Sequence, residues 1–150
     1  MSMIQGVSAL QPVQERMLNI LLVEDDEVDV MNVRRAFTKN HIANPLFVVA
    51  NGLDALEQLR AGAVPRDRLV ILLDIRMPRM SGLELLAALR EDPDLCRIPV
   101  VILTTSLDES DLSTAYQHNV AGYLLKTNDR DRFRDEIAAF EAYWSHVAMP

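Results

Sequence analysis

The sequence predicts an α/β fold in which one five-stranded parallel sheet carries helices on both faces. Five short apolar runs, rich in leucine and β-branched residues, recur along the 150-residue chain, and helix-length stretches separate them. The runs are continuously apolar and do not alternate with polar residues, as strands covered on both faces require. Regular alternation of strand and helix is typical of a doubly wound sheet.

We predict strands at residues 19–23, 46–50, 69–73, 98–103 and 121–125. The boundaries of the intervening helices are supported by residues that favour helix starts. Four helix starts carry such capping signals: Asp26, Asn51, Ser81 followed by Glu84, and Ser106 followed by Glu109.

Length and composition indicate one cytosolic domain. The chain has 22 acidic and 15 basic residues and a formal charge of -7, which disfavours unassisted binding to nucleic acid or an anionic membrane. Its lone cysteine, Cys96, cannot form an internal disulfide and fits a reducing compartment. No signal peptide or membrane-length apolar run is present. We expect an arm at 1–17, the domain at 18–145 and a tail at 146–150.

Polar residues with related chemistry stand where four of the predicted strands end. The carboxyl ends of parallel strands open onto one edge of a sheet, so these residues are expected to share one crevice. They are Glu24 and Asp25 after the first strand, Asp74 after the third, Thr104 after the fourth and Lys126 after the fifth.

Three clustered carboxylates without histidine or cysteine suit a hard, oxygen-ligated cation, Mg²⁺ or alternatively Mn²⁺. Two or three carboxylates leave such an ion hydrated and open to a phosphoryl ligand. Lys126 and Thr104 would supply a positive charge and a hydroxyl donor to phosphoryl oxygens. Asp74, alone at the end of the middle strand, is then the expected phosphoryl acceptor.

Four segments resemble the receiver domain of bacterial response regulators, the phospho-acceptor of two-component signalling. ILLVEDD resembles its first strand and acidic pair, and LLDIRMPRMSG its phospho-acceptor segment, with Pro78 and Gly82 four and eight residues after Asp74. IPVVILTTS and GYLLK resemble its fourth and fifth strands. The resemblance covers roughly residues 18–145 and implies a flavodoxin-like sheet with strand order 2-1-3-4-5.

The resemblance also implies a role for each matching residue. Asp74 would be phosphorylated and bind the metal, Asp25 would bind it directly and Glu24 through water. Arg76 would contribute its backbone carbonyl, so the type of side chain at this position is free to be unusual. Among the switch residues, Thr104 would hydrogen-bond the phosphoryl group, Lys126 would pair with it, and Tyr123 would move inward after Thr104.

One departure from the family pattern lies beside Lys126. The family usually has a proline next, in a cis peptide, whereas this chain has Thr127. A cis bond costs roughly 3 kcal/mol before a residue other than proline. We therefore expect either a trans, locally rebuilt loop or a strained one held by its surroundings.

The last helix carries an apolar stripe at helical spacing. We assign Phe133, Ile137 and Phe140 to the core. A helix from Asp129 to Val147 would be about 28 Å long and would overhang the sheet, so Trp144 and Val147 are candidates for a homodimer contact.

This aromatic extension, with Lys-Thr in place of Lys-Pro, is similar to single-domain regulators that partner bacterial phytochrome histidine kinases. The expected partner is a sensor histidine kinase, with a bacteriophytochrome as one candidate, or a phosphotransfer protein. Output would then pass through protein contact or phosphorelay, since no DNA-binding module is recognisable.

Other classes of protein share this topology. A metal-dependent phosphatase would require an aspartate two residues after the nucleophile, where this chain has Arg76. A nucleotide- or flavin-binding module would require a glycine-rich first turn, where this chain reads EDDEVD. A degenerate receiver scaffold is disfavoured because every chemical position is filled. We expect a phospho-acceptor with only slow self-dephosphorylation, not an enzyme.

Overall fold

A computed structural model of the chain describes residues 17–77, 79–105 and 109–149. All of the expected N-terminal arm except Met17 lies outside these ranges. So do Pro78 of the phospho-acceptor segment, the predicted cap Ser106 and the last residue of the tail.

Five parallel strands form one sheet in the order β2-β1-β3-β4-β5, which confirms the predicted topology. β1 pairs with β2 on one side and β3 on the other, and β4 joins β3 to β5. The strands run as follows: β1 Asn19–Val23, β2 Leu46–Val49, β3 Leu69–Leu73, β4 Val100–Thr104 and β5 Gly122–Leu125. The fourth strand therefore starts two residues later than predicted and includes Thr104.

Five helices alternate with these strands: α1 Glu27–Lys39, α2 Gly52–Ala61, α3 Gly82–Glu91, α4 Glu109–Gln117 and α5 Arg130–His146. The cap predictions at the first three helix starts are confirmed. The Asp26 side chain accepts hydrogen bonds from the backbone of α1, Asn51 does the same for α2, and Ser81 forms a reciprocal capping box with Glu84. None of the described helices combines the length and apolarity needed to span a membrane.

The sheet separates two apolar cores, because successive side chains of a strand point to opposite faces. Leu21, Val23, Ile71 and Leu73 face α2 and α3, together with Ala115 of α4. Alternate residues of the same strands, such as Ile20 and Leu72, face α1 and α5. Strands buried on both faces explain the continuous apolar runs in the sequence.

The C-terminal helix α5 is anchored at both ends. Its first turn is capped by the Asp129 side chain, and Phe133, Ile137 and Phe140 are buried against the sheet as predicted. At its last turn the Arg68 guanidinium donates hydrogen bonds of 2.9 to 3.2 Å to the carbonyls of Trp144, Ser145 and Val147. These contacts satisfy carbonyls that a helix end leaves without intrahelical partners.

Gly82, the first residue of α3, lies directly against the backbone that carries Asp74. Its N–H donates to the Ile75 carbonyl at 2.9 Å. A Cβ at this position would lie 2.1 Å from the Asp74 carbonyl oxygen and 2.8 Å from the Ile75 Cα. Backbone atoms cannot move aside as a flexible side chain can, so only glycine permits this approach.

We predict that Gly82→Ala lowers the free energy of unfolding by about 2 to 4 kcal/mol, because the added methyl group must displace the Asp74 segment. Urea denaturation measures this loss. Gly122→Ala is the matched control, since a Cβ on Gly122 meets no atom within 4 Å, and it should change stability by less than about 0.5 kcal/mol. Equal stability of the two variants would contradict the close approach.

Candidate functional site

The strand-end residues converge as the topology requires. Glu24 and Asp25 follow β1, Asp74 follows the adjacent β3, Thr104 ends β4 and Lys126 follows β5. Main-chain hydrogen bonds continue between these ends: Glu24 N–H donates to Val49 at 3.0 Å, Asp74 N–H to Val23 at 3.0 Å and Lys126 N–H to Thr104 at 2.7 Å. The sheet therefore fixes the backbone of the whole crevice.

Three carboxylates form a compact acidic cluster. One oxygen each of Glu24, Asp25 and Asp74 lies within 4.8 Å of the others. Glu24 and Asp74 are buried and Asp25 is exposed, so the cluster opens to solvent on one side. A cation would be reached from water and held by hard oxygen donors, which fits a hydrated divalent ion.

Lys126 is the counter-charge of this cluster. Its Nζ lies 2.6 Å from Glu24 Oε1, 2.8 Å from Asp29 Oδ2 and 3.6 Å from Asp74 Oδ2. The contact to Glu24 is an ion pair whose direction does not suit a hydrogen bond, and Oε1 has no hydrogen-bond donor among the described residues. Glu24 Oε2 accepts from the Asp26 N–H at 3.2 Å.

Burial and charge shift the pKa values of this pair. Burial raises the pKa of Glu24 from 4.5 to about 7, although Lys126 opposes the shift and the Asp74 charge adds to it. Burial acts to lower the pKa of Lys126, but the hydrogen bond to Asp29, the short ion pair with Glu24 and the nearby Asp74 charge outweigh it and raise that pKa. Lys126 is therefore charged at every physiological pH.

Thr104 and Tyr123 occupy neighbouring strands with different exposure. Thr104 is buried at the end of β4, beside β3 and β5. Tyr123 on β5 is 39% exposed and packs edge-to-face against Tyr116 of α4, with ring centroids 6.2 Å apart. The tyrosine therefore faces outward in this structure, and Tyr116 is a ring contact that the sequence analysis did not identify.

Arg76 is tied to the site through both its backbone and its side chain. Its N–H lies 3.4 Å from Asp74 Oδ1, which turns the loop after β3 around the carboxylate. Its guanidinium lies 3.1 Å from the Asp111 carboxylate on α4. The side chain thus pairs the loop after β3 with α4.

Asp29 is the contact residue of this site that the sequence analysis missed. It lies in the first turn of α1. It follows Asp25, which precedes the helix, by four residues, about the length of one helical turn. Because it lies in a helix and not at the end of a strand, the position of residues at strand ends could not predict it. The signal present in the sequence was an acidic residue one helical turn beyond the acidic pair.

The loop after Lys126 is trans, the first of the two expected alternatives. None of the peptide bonds in the described part of the chain is cis. Thr127 Oγ1 accepts a hydrogen bond from the Asp129 N–H at 3.1 Å, and Asp129 then caps α5. Two side-chain hydrogen bonds therefore lead the chain from the site into the last helix.

The chain belongs to the response regulator receiver domain family, whose pattern it matches over residues 20–138. Receiver domains are phospho-acceptors, and the fold and the acidic cluster of this chain are consistent with that family. The chain is 38% identical over 137 residues to the response regulator Rcp1 of Synechocystis sp., covering 87% of this chain and 92% of Rcp1.

Solved structures agree with this assignment. The Mn²⁺-bound form of Rcp1 matches with a TM-score of 0.78 at 35% identity, covering 89% of this chain and 99% of the other. The phosphorylated cyanobacterial phytochrome response regulator RcpA matches with a TM-score of 0.80 at 31% identity and the same coverage. The matched structures thus include a metal-bound and a phosphorylated protein.

The raised pKa of Glu24 predicts an unusual pH dependence of stability in the metal-free protein. Between pH 4.5 and about 7 the folded chain keeps a proton that the unfolded chain has released. The contribution of Glu24 to stability therefore falls as pH rises through this window and is constant above it. The unfolding free energy of wild type minus that of Glu24→Gln, measured in the presence of a metal chelator, should therefore decrease as the pH rises from 4.5 to about 7.

Glu57→Gln, which removes one exposed charge from α2, is the control for this measurement. A wild-type minus Glu24→Gln difference that stays flat from pH 4.5 to 7 would contradict the shift.

Proposed function

We propose that this receiver domain accepts a phosphoryl group on Asp74 from a phosphohistidine of a sensor histidine kinase, with Mg²⁺ as the metal. A carboxylate oxygen of Asp74 would attack phosphorus as the N–P bond breaks, and the bonding pair would leave with the imidazole nitrogen. The observation that carries the proposal is the Lys126 ammonium 3.6 Å from Asp74, inside a cluster of three carboxylates.

The metal would be held by Asp25 and Asp74, with Glu24 reached through water and the Arg76 backbone carbonyl completing the protein ligands. It would neutralise charge on the transferred group, for which oxygen-only ligands suit Mg²⁺ and also Mn²⁺. The chain itself would supply the rest. Lys126 and Thr104 would bind the phosphoryl oxygens, and the buried position of Asp74 would limit the access of water to the acyl phosphate.

Output would begin with Thr104 and Tyr123. A phosphoryl group adds about one further negative charge beside Thr104 and Lys126, which favours movement of Thr104 toward it. Tyr123 would leave its edge-to-face contact with Tyr116 and turn inward. The face made by α4 and β5 would change shape and serve as the output surface.

The proposed partner is a histidine kinase of the phytochrome class, in keeping with the resemblance to RcpA. A phosphotransfer protein is the alternative donor. The same proposal takes residues 18–145 as the receiver domain, between an arm at 1–17 and a tail at 146–150. It assigns the protein to the cytosol.

A homodimer through α5 is part of the proposal. An apolar groove of about 560 Å³ runs between β5 and α5, lined in part by Leu124, Phe140 and Trp144. In the described sheet β5 has a partner only on its β4 side. Beside the predicted contacts Trp144 and Val147, Tyr143 is 60% exposed and stacks edge-to-face on Trp144. This exposed aromatic pair is a suitable anchor for a second copy.

Phosphorylation is tested by incubating the protein with Mg²⁺ and acetyl phosphate or a phosphorylated kinase. Intact-mass measurement should show one phosphoryl group on the wild type and none on Asp74→Asn, because the amide is not a nucleophile. Asp54→Asn on α2, outside the acidic cluster, is the matched control and should be labelled normally. Labelling of Asp74→Asn would overturn the assignment, and multiple turnover of phosphomonoesters would favour the phosphatase class.

The dimer proposal is tested by sedimentation velocity over a range of concentrations. Tyr143→Ala and Trp144→Ala should each weaken self-association about tenfold or more, the loss typical of a central aromatic anchor. Leu53→Ala removes a comparably exposed apolar side chain from α2 and should leave it unchanged. A wild type that stays monomeric at all concentrations would exclude this interface.

A further inference from the structure

Lys126 has one more carboxylate partner than the acidic cluster supplies. Asp29 Oδ2 lies 2.8 Å from Nζ and accepts a hydrogen bond from it. This is shorter than the 3.6 Å that separates Nζ from Asp74 Oδ2. The ammonium is therefore held from the side of α1, at a residue outside the metal cluster.

The number of N–H donors on the ammonium shows what the contact with Asp29 leaves available. A lysine ammonium has three N–H donors and no acceptor. Its two short contacts are to Glu24 and Asp29, and its third neighbour is Asp74, at a distance beyond a hydrogen bond. Among the described residues, Asp29 accepts a hydrogen bond from the ammonium and Glu24 holds it by charge. Donors therefore remain for a phosphoryl oxygen, which would extend beyond the Asp74 carboxylate.

Asp29 is itself held rigidly. It belongs to the first turn of α1, and its backbone N–H lies 3.3 Å from the Asp26 cap. The partial positive charge of a helix N-terminus stabilises a carboxylate in this turn. Its side chain is 29% exposed, so the pair is partly shielded from solvent and keeps more strength than a surface ion pair.

The stem of Lys126 gains little orientation from the residues that follow it. A lysine side chain has four rotatable carbon bonds and loses considerable rotamer entropy when fixed. Thr127 leaves the backbone φ after Lys126 unrestricted by a ring, and the adjacent cavity is lined by Asp29, Thr127 and Asn128. Asp29 lines this cavity and holds the ammonium from that side.

We infer that Asp29 is a positioning residue that holds the Lys126 ammonium in place to receive a phosphoryl group on Asp74. The inference rests on the proposed function and adds a residue to it. Asp29 touches neither the phosphoryl group nor the metal. It acts by keeping Lys126 oriented, so its loss weakens binding of the phosphoryl group more than binding of the cation.

The probes are Mg²⁺ alone and beryllofluoride, a phosphoryl analogue, added in the presence of saturating Mg²⁺. Asp29→Asn should weaken beryllofluoride binding about fivefold to tenfold in calorimetry, since the ion pair that orients Lys126 becomes a weaker hydrogen bond from the ammonium to an uncharged amide. Mg²⁺ affinity and melting temperature should change no more than in Asp26→Asn. That control exchanges a carboxylate for an amide on the same helix start and keeps a capping side chain.

A double-mutant cycle shows whether Asp29 acts through Lys126. In a Lys126→Met background, Asp29→Asn should weaken beryllofluoride binding less than twofold further. A full additional loss in that background would overturn the inference. So would an Asp29→Asn variant that binds beryllofluoride as tightly as Asp26→Asn, or one that loses Mg²⁺ affinity in the same proportion as beryllofluoride affinity.

The two proposals fail separately in this design. If wild type with Mg²⁺ neither binds beryllofluoride nor becomes phosphorylated on Asp74, the proposed function falls and this inference with it. If wild type does both and Asp29→Asn matches the Asp26→Asn control, only the role of Asp29 is overturned.

Discussion

The rest of the site depends on the ion pairs that the Lys126 ammonium makes with the carboxylates around it. Glu24 has a fully buried side chain, and a buried carboxylate is costly unless a positive charge compensates it. Lys126 provides that charge and at the same time contacts Asp29 and approaches Asp74. One side chain at the end of β5 therefore links β1, α1 and β3, and it leaves Asp25 exposed on the side where a cation could enter.

The sheet determines where this interaction can form. Main-chain hydrogen bonds between strand ends set the spacing of Glu24, Asp74 and Lys126 before any side chain is considered. Gly82 completes the arrangement, because only a residue without a Cβ lets α3 start against the Asp74 backbone. The strand order thus brings the charged residues together, and the close backbone contacts set the distances between them.

Contacts outside the crevice connect it to the surfaces of the molecule. Arg76 joins the loop after Asp74 to α4 through Asp111, and Tyr116 of the same helix contacts Tyr123 on β5. Two contacts therefore join α4 to elements of the site, an ion pair to the loop after Asp74 and an aromatic contact to β5. On the opposite side of the sheet, Arg68 fixes the last turn of α5. This holds Tyr143 and Trp144 in a defined position beside the edge strand.

The sequence by itself determined the alternation of strands and helices, the helix caps at Asp26, Asn51 and Ser81, and the set of polar residues at the strand ends, whereas the strand order came from the family resemblance. It could do so because period, capping chemistry and strand-end position are local properties that a parallel sheet converts into one site. Only the tertiary structure decided that Asp29 shares Lys126, that Arg76 pairs with Asp111, that Tyr123 rests on Tyr116 and that Arg68 holds the end of α5. These contacts depend on side-chain rotamers and on how helices pack against the sheet, and all but the tyrosine pair join residues far apart in the chain. No spacing rule in the sequence specifies them.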